Sequence, residues 1–208
     1  MARVHGPMLS FSASGPFARL LSFGATLARP YARRTIGHKD PKTPAQVATR
    51  AMFQFLSNQW PLLSPANQLS WGWLAGDAQI ARSNAYRGLN LSRWHRFLPP
   101  SKTCPPTETG VQPNAILEAA YGGPSYIKLS FYVYATNDVW GALVFRSLPT
   151  VFTPSRDKTI AVIPITHRFY TYYTDHGLSP GKYNYSAMFF TTSGSLGPQE
   201  ATVGAWAT

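Results

Sequence analysis

The stretch "GLSPGKYNYSAMFFTTSGSLGPQEATVGAWAT", residues 177–208, decides the fold. It holds two runs of strand-favouring residues, "KYNYSAMFFTT" and "ATVGAWAT", separated by the glycine, serine and proline that supply turns. Towards the N-terminus the same texture repeats in "RFYTYYT", "KTIAVIPIT", "WGALVFRS", "SYIKLSFYVYA" and "NAILEAAY". Seven short runs with turns between them in about 95 residues predict an antiparallel β-sandwich over residues 113–208. The 16 glycines and 18 prolines among 208 residues point the same way, towards short elements and many turns.

Upstream of the sandwich, "PPSKTCPPTETGVQ" carries four prolines and no periodic apolar pattern, so residues 99–112 read as a stiff linker. Before it the pattern turns helical. Thr43 is a natural N-cap and Pro44 fits the first helical position, with Val47, Phe53, Leu56 and Trp60 at roughly helical spacing. Ser64 and Pro65 repeat the device, and Gly72 and Gly76 keep that helix short. A third helix is expected from about Asn84 to Phe97, with Leu91, Trp94 and Leu98 on one side and Pro99-Pro100 after it. Residues 8–36 alternate as strands do, in Leu9, Phe11 and Ala13 and again in Phe17, Arg19, Leu21 and Phe23. Such a ribbon is marginal alone in water, so it adds to another sheet or docks on other chains. The expected architecture is α+β: a basic β-arm or hairpin with three short helices (1–98), the linker (99–112), and an antiparallel β-sandwich (113–208).

Two resemblances sharpen this. Leu178, Pro180, Gly181, Gly194 and Ser195 resemble the end of a fibronectin type III or related immunoglobulin-like domain, where a Leu-x-Pro-Gly turn leads into a tyrosine-bearing strand. The usual corner position falls on Asn184, between Tyr183 and Tyr185, a departure of one residue. In the first half, "GPMLSFSASG", "YARRTIGHKDPKTPAQ" and "LSPANQLSWGWLA" resemble small structural proteins of tailed phages and prophages, with Asp40 where Asn is common. That resemblance covers residues 6–75 and implies a virion component of head, neck or tail.

The net charge of +11 is unevenly spread. Residues 1–105 hold 13 Lys and Arg against 2 acids, whereas residues 106–208 hold 6 of each. A basic region joined to a neutral module commonly meets nucleic acid, an anionic surface or acidic partner subunits. The interaction candidates are Arg19, Arg29, Tyr31, Arg33, Arg34, Lys39, Lys42, Arg93 and Arg96. Tyr31 between arginines, and Arg87, Arg93 and Arg96 around Trp94, would also suit phosphates and a stacked base. No helix-turn-helix, RNP or zinc-finger pattern supports that alternative, and acidic neighbouring subunits are the first reading.

Catalytic groupings are thin. Asp175-His176 alone places an acid beside a histidine, in what reads as a turn before a strand, where Asp serves the backbone. Cys104 is the single cysteine, so neither an intramolecular disulfide nor a cysteine-based zinc site can form. The five histidines are scattered singly. Tyr170, Tyr172 and Tyr173 could line a carbohydrate-binding face, although alternation in a sandwich strand ordinarily means packing with one outward ring. The expectation is a protein without catalytic activity, metal, cofactor or small-molecule substrate, partnered by virion subunits including its own copies, with nucleic acid second. No run approaches the ~20 apolar residues of a membrane span. The acid-free, Arg- and Ser-rich start could pass for a transit peptide, but Gly6-Pro7, Gly15-Pro16, Gly24 and Pro30 interrupt any helix there. The resemblance to phage proteins implies synthesis in the host cytoplasm and residence in the virion, and no signal peptide is expected.

Overall fold

The computed structural model describes residues 43–108, 112–134, 139–148, 153–166 and 169–208, together with the backbone of three strands at 15–17, 21–26 and 29–34. The chain divides into two units, Met1–Pro41 and Lys42–Thr208.

In the first unit, β1 (Gly15–Phe17), β2 (Leu21–Thr26) and β3 (Arg29–Arg34) form an antiparallel sheet in that order. Phe17 lies opposite Leu21, and Leu21 in turn opposite Arg34. The ribbon expected from alternation thus has three strands; the expected strand around Leu9–Ala13 lies outside the described residues.

The second unit opens with four helices: α1 (Pro44–Gln59), α2 (Pro65–Ser70), α3 (Gly72–Asp77) and α4 (Arg82–His95). One more forms than the spacing predicts, because the chain turns at Trp71 and resumes at Gly72. Pro44 starts α1 as expected, and the Ser64 hydroxyl accepts a hydrogen bond from the Asn67 amide at 3.3 Å. The buried stripe of α1 is Ala48, Met52, Phe55, Leu56 and Gln59, spaced to one face. Phe53 and Val47, expected on the buried side, are not on it, and Phe53 is exposed. Trp71 and Trp94 are fully buried, whereas Trp73 is exposed.

Eight strands follow. β4 (Ala115–Gly123), β5 (Tyr126–Val133) and β8 (Phe169–His176) make one antiparallel sheet. β6 (Val139–Ser147), β7 (Thr159–Pro164), β9 (Gly181–Thr191) and β10 (Leu196–Gln199) make the other, ordered β10-β9-β6-β7, with β11 (Val203–Ala207) also pairing with β9. Leu117, Ile127, Leu129, Phe131 and Val133 of the first sheet meet Ala142, Val144, Tyr185, Ala187 and Phe189 of the second in one core. The α+β class and the antiparallel sheets therefore stand as expected.

The second sheet is buried on its other face too. Trp140, Leu143 and Phe145 of β6, Val162 of β7 and Phe190 of β9 pack against Met52, Phe55, Leu56, Trp71, Tyr86 and Trp94 of the helices. Seven consecutive residues of β6, Val139 to Phe145, are buried. A strand covered on both sides needs no polar alternation, which is why "VWGALVF" is an unbroken apolar run. The layers are helices, sheet, sheet.

Residues 99–108 are accordingly not the linker that their prolines predict. Pro99, Pro100, Ser101 and Cys104 are buried. Asn90 on α4 holds Ser101 from both sides, accepting from its amide at 2.8 Å and donating to its carbonyl at 3.0 Å. The Trp71 indole donates to the Lys102 carbonyl at 2.9 Å, and the Lys102 amide donates to the Thr192 carbonyl at 2.9 Å. Helices and sandwich are thus parts of one unit, because the segment between them is bonded to both. Asn90→Ala would orphan a buried N–H and a buried C=O, at roughly 1–3 kcal/mol for such a group. We expect it to lower stability by about 2 kcal/mol in a urea titration, with the fold retained.

Candidate functional site

The outer face of β4-β5-β8 carries the densest exposed constellation of the described residues. With Ile127, Leu129, Phe131 and Val133 turned into the core, the alternation of β5 turns Tyr126, Lys128, Ser130 and Tyr132 to the other face, where Ser130 is buried beneath its neighbours. Antiparallel pairing sets Tyr170 opposite Tyr132, Tyr172 opposite Ser130, and His176 opposite Tyr126, so β8 supplies the adjoining row. On β4 the register shifts between Leu117 and Ala119, a bulge that sets Glu118 beside Ser130, whose hydroxyl donates to the carboxylate at 3.3 Å.

The rings of Tyr170 and Tyr172 lie 8° from parallel with centroids 6.2 Å apart. Tyr132 meets Tyr170 at 5.2 Å and Tyr134 at 4.8 Å, both edge to face. The Lys128 ammonium sits 4.1 Å from the Tyr172 ring centre. Glu118, Tyr121, Lys128, Ser130, Tyr170 and Tyr172 line an open hollow of about 410 Å³. Tyr121, Tyr170 and Tyr172 are 57%, 48% and 53% exposed, so these rings are not there to fill a core. The Glu118 carboxylate, ahead of lesser causes, raises the Tyr170 phenol pKa above its ordinary value. Two tyrosines of "RFYTYYT", Tyr170 and Tyr172, face outwards, against the single outward ring expected, and Phe169 is exposed as well. Tyr173 turns inwards, its phenol pushed up to about 12 by burial and by Asp175.

The basic candidates fare differently. Arg29, Tyr31, Arg33 and Arg34 fall on β3, the first three at alternate positions opposite Thr26, Gly24 and Ser22. Arg19, Lys39 and Lys42 lie outside the described residues. Arg93 is committed internally: its guanidinium donates to the Pro99 carbonyl at 2.9 Å and pairs with Glu108 at 2.8 Å. It also reaches the Gly194 carbonyl at 3.4 Å. It ties α4 to the 99–108 segment and to the β9–β10 turn. Arg96 is exposed just beyond α4. Arg87 bonds Ser83 and Asn84 on its own helix, and Trp94 is buried, so the surface imagined around Trp94 does not form.

Asp175 is not a turn residue. It lies in β8, buried, accepting from the Arg146 guanidinium at 2.7 Å and the Tyr185 hydroxyl at 2.8 Å. Burial, with the Asp175 carboxylate second, raises the Tyr185 phenol pKa far above the ordinary tyrosine range. His176 takes the opposite face of the strand, 6.2 Å from the Tyr126 ring, so Asp175 and His176 form no dyad. Burial likewise raises the Cys104 thiol pKa. Among the described residues no cluster of His, Cys, Asp or Glu could hold a metal ion, and no helix is long and apolar enough to cross a membrane.

No family model matches the chain and no curated protein matches it in sequence. Solved structures do. A β-1,2-glucanase from Parabacteroides distasonis is 17% identical over 49% of this chain, at a TM-score of 0.39. This chain spans 13% of the length of that enzyme. The soluble domain of PmoD from Methylocystis sp. ATCC 49242 (Rockwell) is 11% identical over 42% of this chain and 77% of its own, at a TM-score of 0.29. The expectation of a protein without catalytic activity is corrected on this point, since one similar structure is that of an enzyme. A likeness this slight carries no activity over to the present chain.

Proposed function

We propose that the chain is a structural component of a tailed-phage virion, in which the basic N-terminal unit joins neighbouring subunits and an immunoglobulin-like sandwich is displayed. The observation that carries this reading is the separate three-stranded unit. β3 places Arg29, Tyr31 and Arg33 at alternate positions, in the half of the chain that holds the entire basic excess. A sheet with strands of three, six and six residues gains most from a neighbour that covers it or extends its edge. Arginine suits such a contact, because its planar fork pairs with carboxylates through two hydrogen bonds. The resemblance of residues 6–75 to phage and prophage structural proteins supplies the setting.

Two features support the immunoglobulin-like description. The chain passes between the sheets after β5, after β7 and after β8, the kind of crossing from which Greek-key sandwiches are built. The Tyr183 hydroxyl donates back to the Ser179 carbonyl at 3.0 Å, a tyrosine corner one residue from the expected position.

Arg33→Glu combined with Arg34→Glu tests the reading. Expressed with the rest of its particle, the double variant is expected to be lost from purified virions while the thermal transition of residues 42–208 stays in place. Normal incorporation sinks the proposal. Nucleic-acid binding predicts instead that the native chain retards duplex DNA, that the same change abolishes it, and that affinity falls steeply with salt. The internal commitments of Arg87 and Arg93 weigh against that second reading.

A further inference from the structure

We propose that the outer face of β4-β5-β8 binds carbohydrate, with the near-parallel rings of Tyr170 and Tyr172 stacking on pyranose faces and Glu118 and Lys128 bonding the hydroxyls. The proposal concerns the sandwich alone and does not depend on how the N-terminal unit is used.

Three observations select this occupant. The first is the rings. Tyr170 and Tyr172, 8° from parallel and 6.2 Å between centroids, are spaced on the scale of one sugar ring to the next; the Lys128 ammonium covers one face of Tyr172, so its other face is the stacking surface. Tyr132, in edge contact with Tyr170, stiffens that pair from the neighbouring strand. Tyrosine gives such area at low entropic cost, having only two side-chain torsions. The second is the polar edge. A sugar hydroxyl both donates and accepts, and the hollow supplies each kind of partner: the Glu118 carboxylate accepts and the Lys128 ammonium donates, while the buried Ser130 hydroxyl bonds Glu118 from below.

The third is charge balance. One acid and one base line the hollow, so it has no net charge to attract a phosphate polymer and suits a neutral polyol. Among the described residues the face also lacks the run of large aliphatic side chains with which a groove holds an amphipathic helix. The hollow is shallow and open rather than enclosed, which fits a chain lying along the sheet better than a small molecule swallowed whole.

The full chain would be run in native gels containing dextran, β-glucan, galactomannan or hydroxyethyl cellulose, with heparin and duplex DNA as anionic comparators, and the binding partner found would be titrated by calorimetry. Retardation by at least one neutral polysaccharide is expected. Tyr170→Ala with Tyr172→Ala should weaken it by about tenfold or more, because both stacking surfaces go with the rings. Tyr170→Phe with Tyr172→Phe keeps both ring faces and should retain most of the affinity, and Glu118→Gln should lower it several-fold. All three variants change exposed side chains, and an unaltered thermal transition verifies that each is folded. No retardation by any neutral polysaccharide overturns the proposal, as does equal binding by the double alanine variant. Retention by heparin or DNA alone also overturns it and assigns the face to an anionic partner.

Discussion

Trp140→Ala is expected to unfold the helices and both sheets in a single transition, displaced by about 4 kcal/mol. Trp140 belongs to β6 but faces the helices. Its ring lies 5.1 Å from Phe55 of α1 and 5.8 Å from Phe190 of β9. Its indole donates to the buried Gln59 side chain at 3.0 Å, and the Lys102 ammonium lies 5.3 Å from the ring. Truncation opens a cavity between two layers, strands the Gln59 carbonyl, and removes one wall from the 99–108 segment. For a chain of this size, about 4 kcal/mol corresponds to a fall of roughly 10 °C in Tm. Calorimetry with far-ultraviolet circular dichroism distinguishes the outcomes. Loss of helix and strand signals together, in native and variant alike, fits the shared core. A helical transition separating from a sandwich transition would restore the two-domain division that the prolines imply.

Asp175→Ala should cost about 3 kcal/mol for a different reason. The carboxylate joins the two sheets, from β8 to Arg146 on β6 and Tyr185 on β9. Forming such a pair gains little, because both charges must leave water, but deleting one partner leaves the other stranded. Arg146 keeps about a third of its side chain exposed and can recover some hydration, which places the loss at the lower end of the range for buried pairs. The Tyr185 hydroxyl, fully buried, cannot. A chemical-denaturation series settles the size: a loss below ~1 kcal/mol, the level of a surface pair, would show that the bridge is solvated rather than structural. Asp175→Ala with Arg146→Met and Tyr185→Phe should recover much of the loss, since no charge or hydroxyl is then left without a partner.

How far the sequence foretells this structure depends on whether the decisive partner is local. Seven of the eight strands of the second unit follow from alternation and turn residues. β10, Leu196–Gln199, escapes because four residues containing Gly197 and Pro198 read as turn alone, and only pairing with β9 makes them a strand. Thr43-Pro44 announces α1, since capping is settled within one turn. Which face of α1 is buried is another matter: of the residues picked out by spacing only Leu56 lies on the buried stripe. Residues 99–108 mislead because their fixing contacts come from Asn90, Arg93, Trp71 and Thr192, none of them adjacent in sequence. The unbroken "VWGALVF" did carry a signal of burial on both sides, and with it a hint that the helices rest on the sandwich. The tyrosine face is visible strand by strand, in Tyr126, Tyr132 and Tyr134 and again in Tyr170 and Tyr172. Joining the rows takes the β5–β8 register, which brings together residues some forty apart in the chain.

The helix layer makes the sandwich one-sided. With α1 and α4 lying on the β6–β7–β9 surface, the module has a back that is already occupied and a front that carries the rings. Copies fixed in one orientation would therefore all turn the same front outwards. A contact too weak to last on one copy becomes durable across an array, because once one copy is engaged the next encounters its site at millimolar effective concentration. Polarity of this kind favours modest single-site affinity multiplied by number, and the back of the module is what imposes it.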